Sequence, residues 1–109
     1  MNVKQLSERE GFSALALPAP EREIKGVYIG DLLSWVMGRA NADDAWITIM
    51  SNANIVAVAT LADVACIILA EGVTLDDEIL EVATSKGINV LTSSASAYET
   101  SRSLWTLGI

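Results

Sequence analysis

The chain has 109 residues, seven of them basic and fourteen acidic, with no histidine and one cysteine, so its formal net charge is −7. Residues 1–109 are the length of one domain with a real core. The acidic balance repels phosphate backbones and argues against nucleic acid as a partner. No basic amphipathic stretch points to a membrane surface, and the longest apolar window, Ile55 to Ala70, contains Asp63 and is too short to span a bilayer.

Taken in order, Asn2 caps a short helix with Val3 and Leu6 on its inner face, and Gly11 stops it. Phe12 to Leu17 alternates as a strand. Pro18-Ala19-Pro20 makes an exposed loop before the charged Glu21-Arg22-Glu23. Ile24 to Ile29 has strand character interrupted by Gly26. Asp31 is placed to cap a helix through Leu32, Leu33, Val36 and Met37, and Gly38 to Asp44 reads as a polar loop. Ala45 to Met50 reads as a strand of mixed burial. Ile55 to Ala62 fits strand by its β-branched residues and helix by its spacing. Helix is chosen because a buried strand follows at once and needs a connection, with Asn54 as the cap.

The stretch from Val64 to Thr92 carries the clearest pattern. Val64 to Ala70 is apolar without alternation, as in a strand buried on both faces. Thr74 is placed to cap a helix whose first turn holds Asp76, Asp77 and Glu78, at the positive end of the helix dipole. Leu75, Ile79, Leu80 and Ala83 form its apolar stripe, and Lys86-Gly87 ends it. Ile88 to Leu91 is a second strand, so the unit is a parallel β-α-β. Thr92-Ser93-Ser94 caps a last helix from Ala95 to about Thr106, with Tyr98, Leu104 and Trp105 on or near its buried side. The fold expected is α/β, a mainly parallel sheet flanked by helices.

The absence of histidine removes the commonest general base and metal ligand. One cysteine without histidine excludes a zinc site of those residues. Cys66, inside a buried strand without a disulfide partner, reads as a small core hydrophobe in a reducing cytoplasm, and the N-terminus lacks the basic-then-apolar order of a secretory signal. Asp43-Asp44 and Asp76-Asp77-Glu78 read as loop and helix-start charges rather than a cation site. No catalytic residue, metal or cofactor is expected.

The candidate ligand site is the set Gly30, Asp31, Ser34, Thr48, Ser51, Asn52 and Asn54. In an open α/β sheet, ligands sit beyond the carboxyl ends of strands, where helix N-termini aim free N–H groups. Both strand-to-helix junctions belong to that edge, fit for a small anionic or nucleotide-like ligand. The alternative is that Asp31 and Asn54 are plain caps. Three tryptophans crowd so small a core, so at least one is expected at a subunit contact of a homodimer, Trp35 first.

The runs Gly26-Val-Tyr-Ile-Gly-Asp-Leu-Leu-Ser34, Trp46-Ile-Thr-Ile49, Asn54-Ile-Val-Ala-Val-Ala59 and Cys66-Ile-Ile-Leu-Ala-Glu-Gly72 resemble stand-alone DRTGG-domain proteins, although the run Asp-Arg-Thr-Gly-Gly does not occur. Val64 to Leu104 is also similar to the N-terminal domain of HPr kinase/phosphorylase, and Gly30-Asp31-Leu32 with the following helix more distantly resembles the N-terminal domain of Mur ligases. The resemblance implies a non-catalytic regulatory or interaction domain that associates with itself and with a protein partner. The competing reading is a stand-alone small-ligand sensor in metabolic or phosphotransfer regulation. The chain has no Gly-x-x-x-x-Gly-Lys-Ser/Thr run, so phosphoryl transfer is not expected of it.

Overall fold

The computed structural model describes residues 1–109. The strands are β1 (Phe12–Ala16), β2 (Gly26–Ile29), β3 (Asp44–Thr48), β4 (Cys66–Leu69) and β5 (Val90–Ser93). The helices are α1 (Val3–Ser7), α2 (Leu33–Arg39), α3 (Asn54–Ala62), α4 (Asp77–Ser85) and α5 (Ala97–Thr106). The five strands form one sheet in the order β1-β5-β4-β3-β2. From β2 to β5 neighbours run parallel, and β1 closes the other edge antiparallel to β5. The α/β class and the mainly parallel sheet expected from the sequence are therefore present.

The β-α-β unit from residue 64 onward forms as its pattern requires. All four residues of β4 are buried, and Ile67 and Ile68 stand opposite Val90 and Leu91 of β5. Because side chains alternate across a strand, an uninterrupted apolar run serves two cores at once. Ile67 and Leu69 join Trp46 and Val90 beneath α2, α3 and α4, where Val36, Ile55, Ala59 and Ala83 meet them. Cys66 and Ile68 join Ala45, Ile47 and Leu91 on the other face, under Val3 and Leu6 of α1 and Leu104 of α5. Each fully buried Ile or Leu contributes about 1.5–3 kcal/mol. Between the strands, α4 ends at Ser85 with Lys86 as its C-cap, and Gly87 takes φ +74°, a backbone region where a Cβ is strained.

Several local expectations need correction. Thr74 caps nothing: Asp76 is the N-cap of α4, and no side chain bonds that end. Asp31 does not cap α2, whose N-cap is Leu32. Asn54 is the first residue of α3 rather than its cap, which is Ala53. The last helix starts at Ala97, capped by the Ser96 hydroxyl accepting from the Glu99 N–H, while Thr92 and Ser93 belong to β5. Residues Gly38 and Arg39 still belong to α2, so the following loop is shorter than the sequence pattern indicates. The strand around Trp46 is buried throughout instead of mixed, since a sheet covered on both faces leaves no wet side. On α5 only Leu104 of the three named residues is buried; Trp105 is 81% exposed and Tyr98 68%.

Two polar devices hold the amino-terminal ends of the strands. Arg22 donates to Asp43 Oδ1 from Nε (3.1 Å) and Nη2 (3.0 Å), and to Asp63 Oδ1 at 2.8 Å. Asp43 and Asp63 both have left-handed backbone, φ 69° and 58°, which aims the two carboxylates at one guanidinium. Asn89 is completely buried, yet its amide is satisfied: Nδ2 donates to Ala19 O (2.7 Å) and Ala65 O (3.0 Å), and Oδ1 accepts from Ala19 N (2.9 Å). The Pro18–Pro20 loop is thus fixed to the sheet rather than free.

Candidate functional site

Parallel strands put their carboxyl ends on one edge, so the turn after β2 and the loop after β3 lie side by side. Two contacts join them. The Trp46 Nε1–H donates to Gly30 O at 2.9 Å, fixing the turn where β2 ends. Asp31 Oδ1 accepts from the Thr48 hydroxyl (2.7 Å) and from Ile49 N (3.0 Å). Thr48 is buried, and its oxygen in turn accepts from Met50 N at 3.2 Å. The aspartate therefore clasps the neighbouring loop instead of capping its own helix. A carboxylate accepting two donors, one of them a backbone N–H, is a stronger arrangement than a single cap bond.

The edge brings Gly30, Asp31 and Thr48 together and presents Ser51, Asn52 and Asn54 beside them, all three exposed. Asn52 Oδ1 accepts from Asn54 N at 2.9 Å, a turn that leads into α3. Ser34 sits exposed on the first turn of α2. The backbone N–H groups of Ser51, Asn52 and Ala53 donate to no protein acceptor, a feature that side-chain types alone could not reveal. None of the seven residues lines a surface concavity of the molecule. No lysine or arginine lies within 30–34 or 49–54, so a bound anion would meet N–H groups and hydroxyls rather than guanidinium.

The opposite half of the same edge is closed. Glu71 N donates to Ala95 O and Gly72 N to Ser93 O, both at 2.8 Å, tying the loop after β4 to the one after β5. Beneath it Ser93 Oγ and Thr100 Oγ1 lie 2.8 Å apart, both buried.

The chemistry of the remaining candidates is limited. Burial pushes the Cys66 thiol up to about 12, leaving it neutral and unreactive at ordinary pH. No group of three or more His, Cys, Asp or Glu side chains is placed to hold a metal ion. Trp35 is half exposed, with the Arg39 guanidinium over its ring at 3.8 Å from the centroid, and Leu32 and Ile29 near it in sequence are exposed to a similar degree. No helix is long and apolar enough to cross a membrane.

Against known proteins, residues 19–107 match the DRTGG domain family. Among solved structures, the chain is similar to the CBS and DRTGG domains of the regulatory region of Clostridium perfringens pyrophosphatase, complexed with its activator diadenosine tetraphosphate. The TM-score is 0.66 at 22% identity, over 84% of this chain and 40% of that one. A likeness at that identity speaks for the fold, and this chain spans less than half of that neighbour. No curated protein matches.

Proposed function

The chain belongs to the DRTGG domain family, and on that premise we propose that it is a non-catalytic regulatory domain that works by binding, first of all to a second copy of itself. The observation that supports this reading is the apolar surface at and beside α2. Ile29, Leu32 and Trp35 are each about half exposed, 49%, 59% and 52%. Aromatic residues in such patches are enriched where subunits meet. A protein partner would use the same kind of surface. Light scattering on a sizing column tests the reading: twice the chain mass of 11.6 kDa is expected, falling to one chain with Trp35→Ala. A single-chain mass at every concentration would defeat it.

A second reading is favoured by the open half of the strand-end edge. There Gly30, Asp31, Ser34, Thr48, Ser51, Asn52 and Asn54 would receive a small anionic or nucleotide-like ligand, with the unbonded N–H groups at 51–53 facing its phosphate or carboxylate. The structural neighbour was solved with a dinucleotide activator, which makes diadenosine tetraphosphate, ATP and inorganic phosphate the probes to try. Heat on titration that Asn52→Ala removes, with unchanged melting temperature, is the expected result. No heat with any probe would remove this reading and leave the first untouched.

A further inference from the structure

Helix α3 has a composition at odds with its position. Asn54 to Ala62 contains no charged side chain, in a chain of net charge −7. A helix apolar on all sides is normally buried on all sides. Ile55, Val56, Val58, Ala59 and Ala62 do face the core, but the opposite face looks outward. There Ala53, Ala57 and Thr60 are exposed, and Leu61 is 75% exposed. Between this face and α4 lies a groove of about 400 Å³ whose walls include Val56, Ala57, Leu61 and Val82. Val82 is itself 46% exposed.

We infer that the self-association proposed above runs through α3, which crosses α3 of a second copy at Ala57 on a two-fold axis. The inference rests on that self-association reading and gives it a location. Three observations favour a second copy as the occupant. First, the face is self-complementary. Residues 53 and 61 lie four positions to either side of Ala57, so a two-fold there sets each exposed Leu61 against the Ala53 of the other copy, large against small. With the i, i+4 rows of both helices aligned, this is the commonest class of helix crossing, and alanine at the centre lets the axes approach. Second, an isologous contact needs the same patch to face itself. For two copies each carrying seven excess negative charges, α3 brings no carboxylate to the contact, and the one charge lining the adjoining groove is the cation of Lys86. Third, α2 packs against α3 and exposes Ser34, Trp35 and Gly38, so the apolar surface of α2 lies on a neighbouring helix of the same layer.

Two surface variants test this, each at an exposed position, so that the fold survives and circular dichroism stays unchanged. Leu61→Glu puts a carboxylate into the contact and is expected to weaken the dimer at least about tenfold. Ala57→Cys places two thiols across the axis and is expected to give a disulfide-linked dimer under mild oxidation. Ser101→Cys on α5 serves as the control that does not cross-link. Cys66 contributes no background because it is buried. A wild-type dimer that survives Leu61→Glu and does not cross-link through Ala57→Cys would overturn the α3 assignment while leaving self-association standing. A wild-type chain that stays monomeric at all concentrations would overturn both.

Discussion

The two ends of the sheet use polar residues for opposite purposes. At the amino-terminal ends, Arg22, Asp43, Asp63 and Asn89 bind one another or the backbone, and they fasten the 18–25 segment across three strands. At the carboxyl-terminal ends of β2 and β3, Trp46 and Asp31 tie the turn after β2 to β3 and its loop, but Ser51, Asn52 and Ala53 keep N–H groups without an acceptor in the protein. The charged hydrogen bonds that one end devotes to holding its loops are what a ligand site would need at the other. Polar density alone does not separate the two uses. What separates them is whether each donor already has an acceptor inside the protein.

The largest effect is expected from Asn89→Ala. It removes three hydrogen bonds made by a buried amide and leaves Ala19 N and Ala65 O without their partner, while Ala19 O keeps the Arg22 N–H. A loss of about 2–4 kcal/mol in urea unfolding should result. A loss below about 1 kcal/mol would mean that the loop is not fastened there.

Arg22→Ala comes next, at about 1–2 kcal/mol, because solvent reaches Asp63 and discounts that half of the network. Burial opposes the guanidinium's charge, but the bonds to Asp63 and Asp43 outweigh it and raise the Arg22 pKa. In return the Arg22 hydrogen bond, aided by its charge and that of Lys25, lowers the Asp43 pKa. A lowered carboxylate pKa gives stability that is complete above the unfolded value of about 4 and lost as pH falls through the folded one. Acid titration of unfolding should therefore show a limb below about pH 4 that Arg22→Ala flattens, and an unchanged limb would count against the pair.

Asp31→Ala should cost less, about 1 kcal/mol, because the carboxylate is exposed and water replaces part of what it provides. Its clearer consequence is local: Ile49 N and the Thr48 hydroxyl lose their acceptor, so the Ile49 and Met50 amides should exchange faster while those of β4 do not.

Much of this was legible in the sequence. The uninterrupted apolar run at 64–70, the Lys86-Gly87 stop and the helical spacing of 55, 58, 59 and 62 each report on local structure, and each is found. The helix starts are less legible, for a common reason. Asp31, Thr74 and Thr92 have side chains suited to capping, but whether they cap depends on the donors and acceptors that the neighbouring elements offer. Asp31 finds better donors across the turn on β3, and Thr92 Oγ1 donates to Val73 O at 2.8 Å. Trp105 lies outside the core because Leu104, one residue earlier, fills the core side of α5. Asn89 was hidden inside an apolar run, and its partner loop lies seventy residues away. Of the candidate site, the strand-end edge could be read from the chain. The clasp between Asp31 and Thr48 could not, because it depends on the parallel register of β2 with β3.

Amide hydrogen exchange on the intact chain, read residue by residue, tests the contrast between the two ends most directly. Slow exchange is expected at Ala19, Lys25 and Asp43, whose N–H groups donate to Asn89, Asp43 and Asp63, and fast exchange at Ser51, Asn52 and Ala53. Protection at 51–53 equal to that at the amino-terminal end would contradict the account, because it would show that edge already closed by the protein itself.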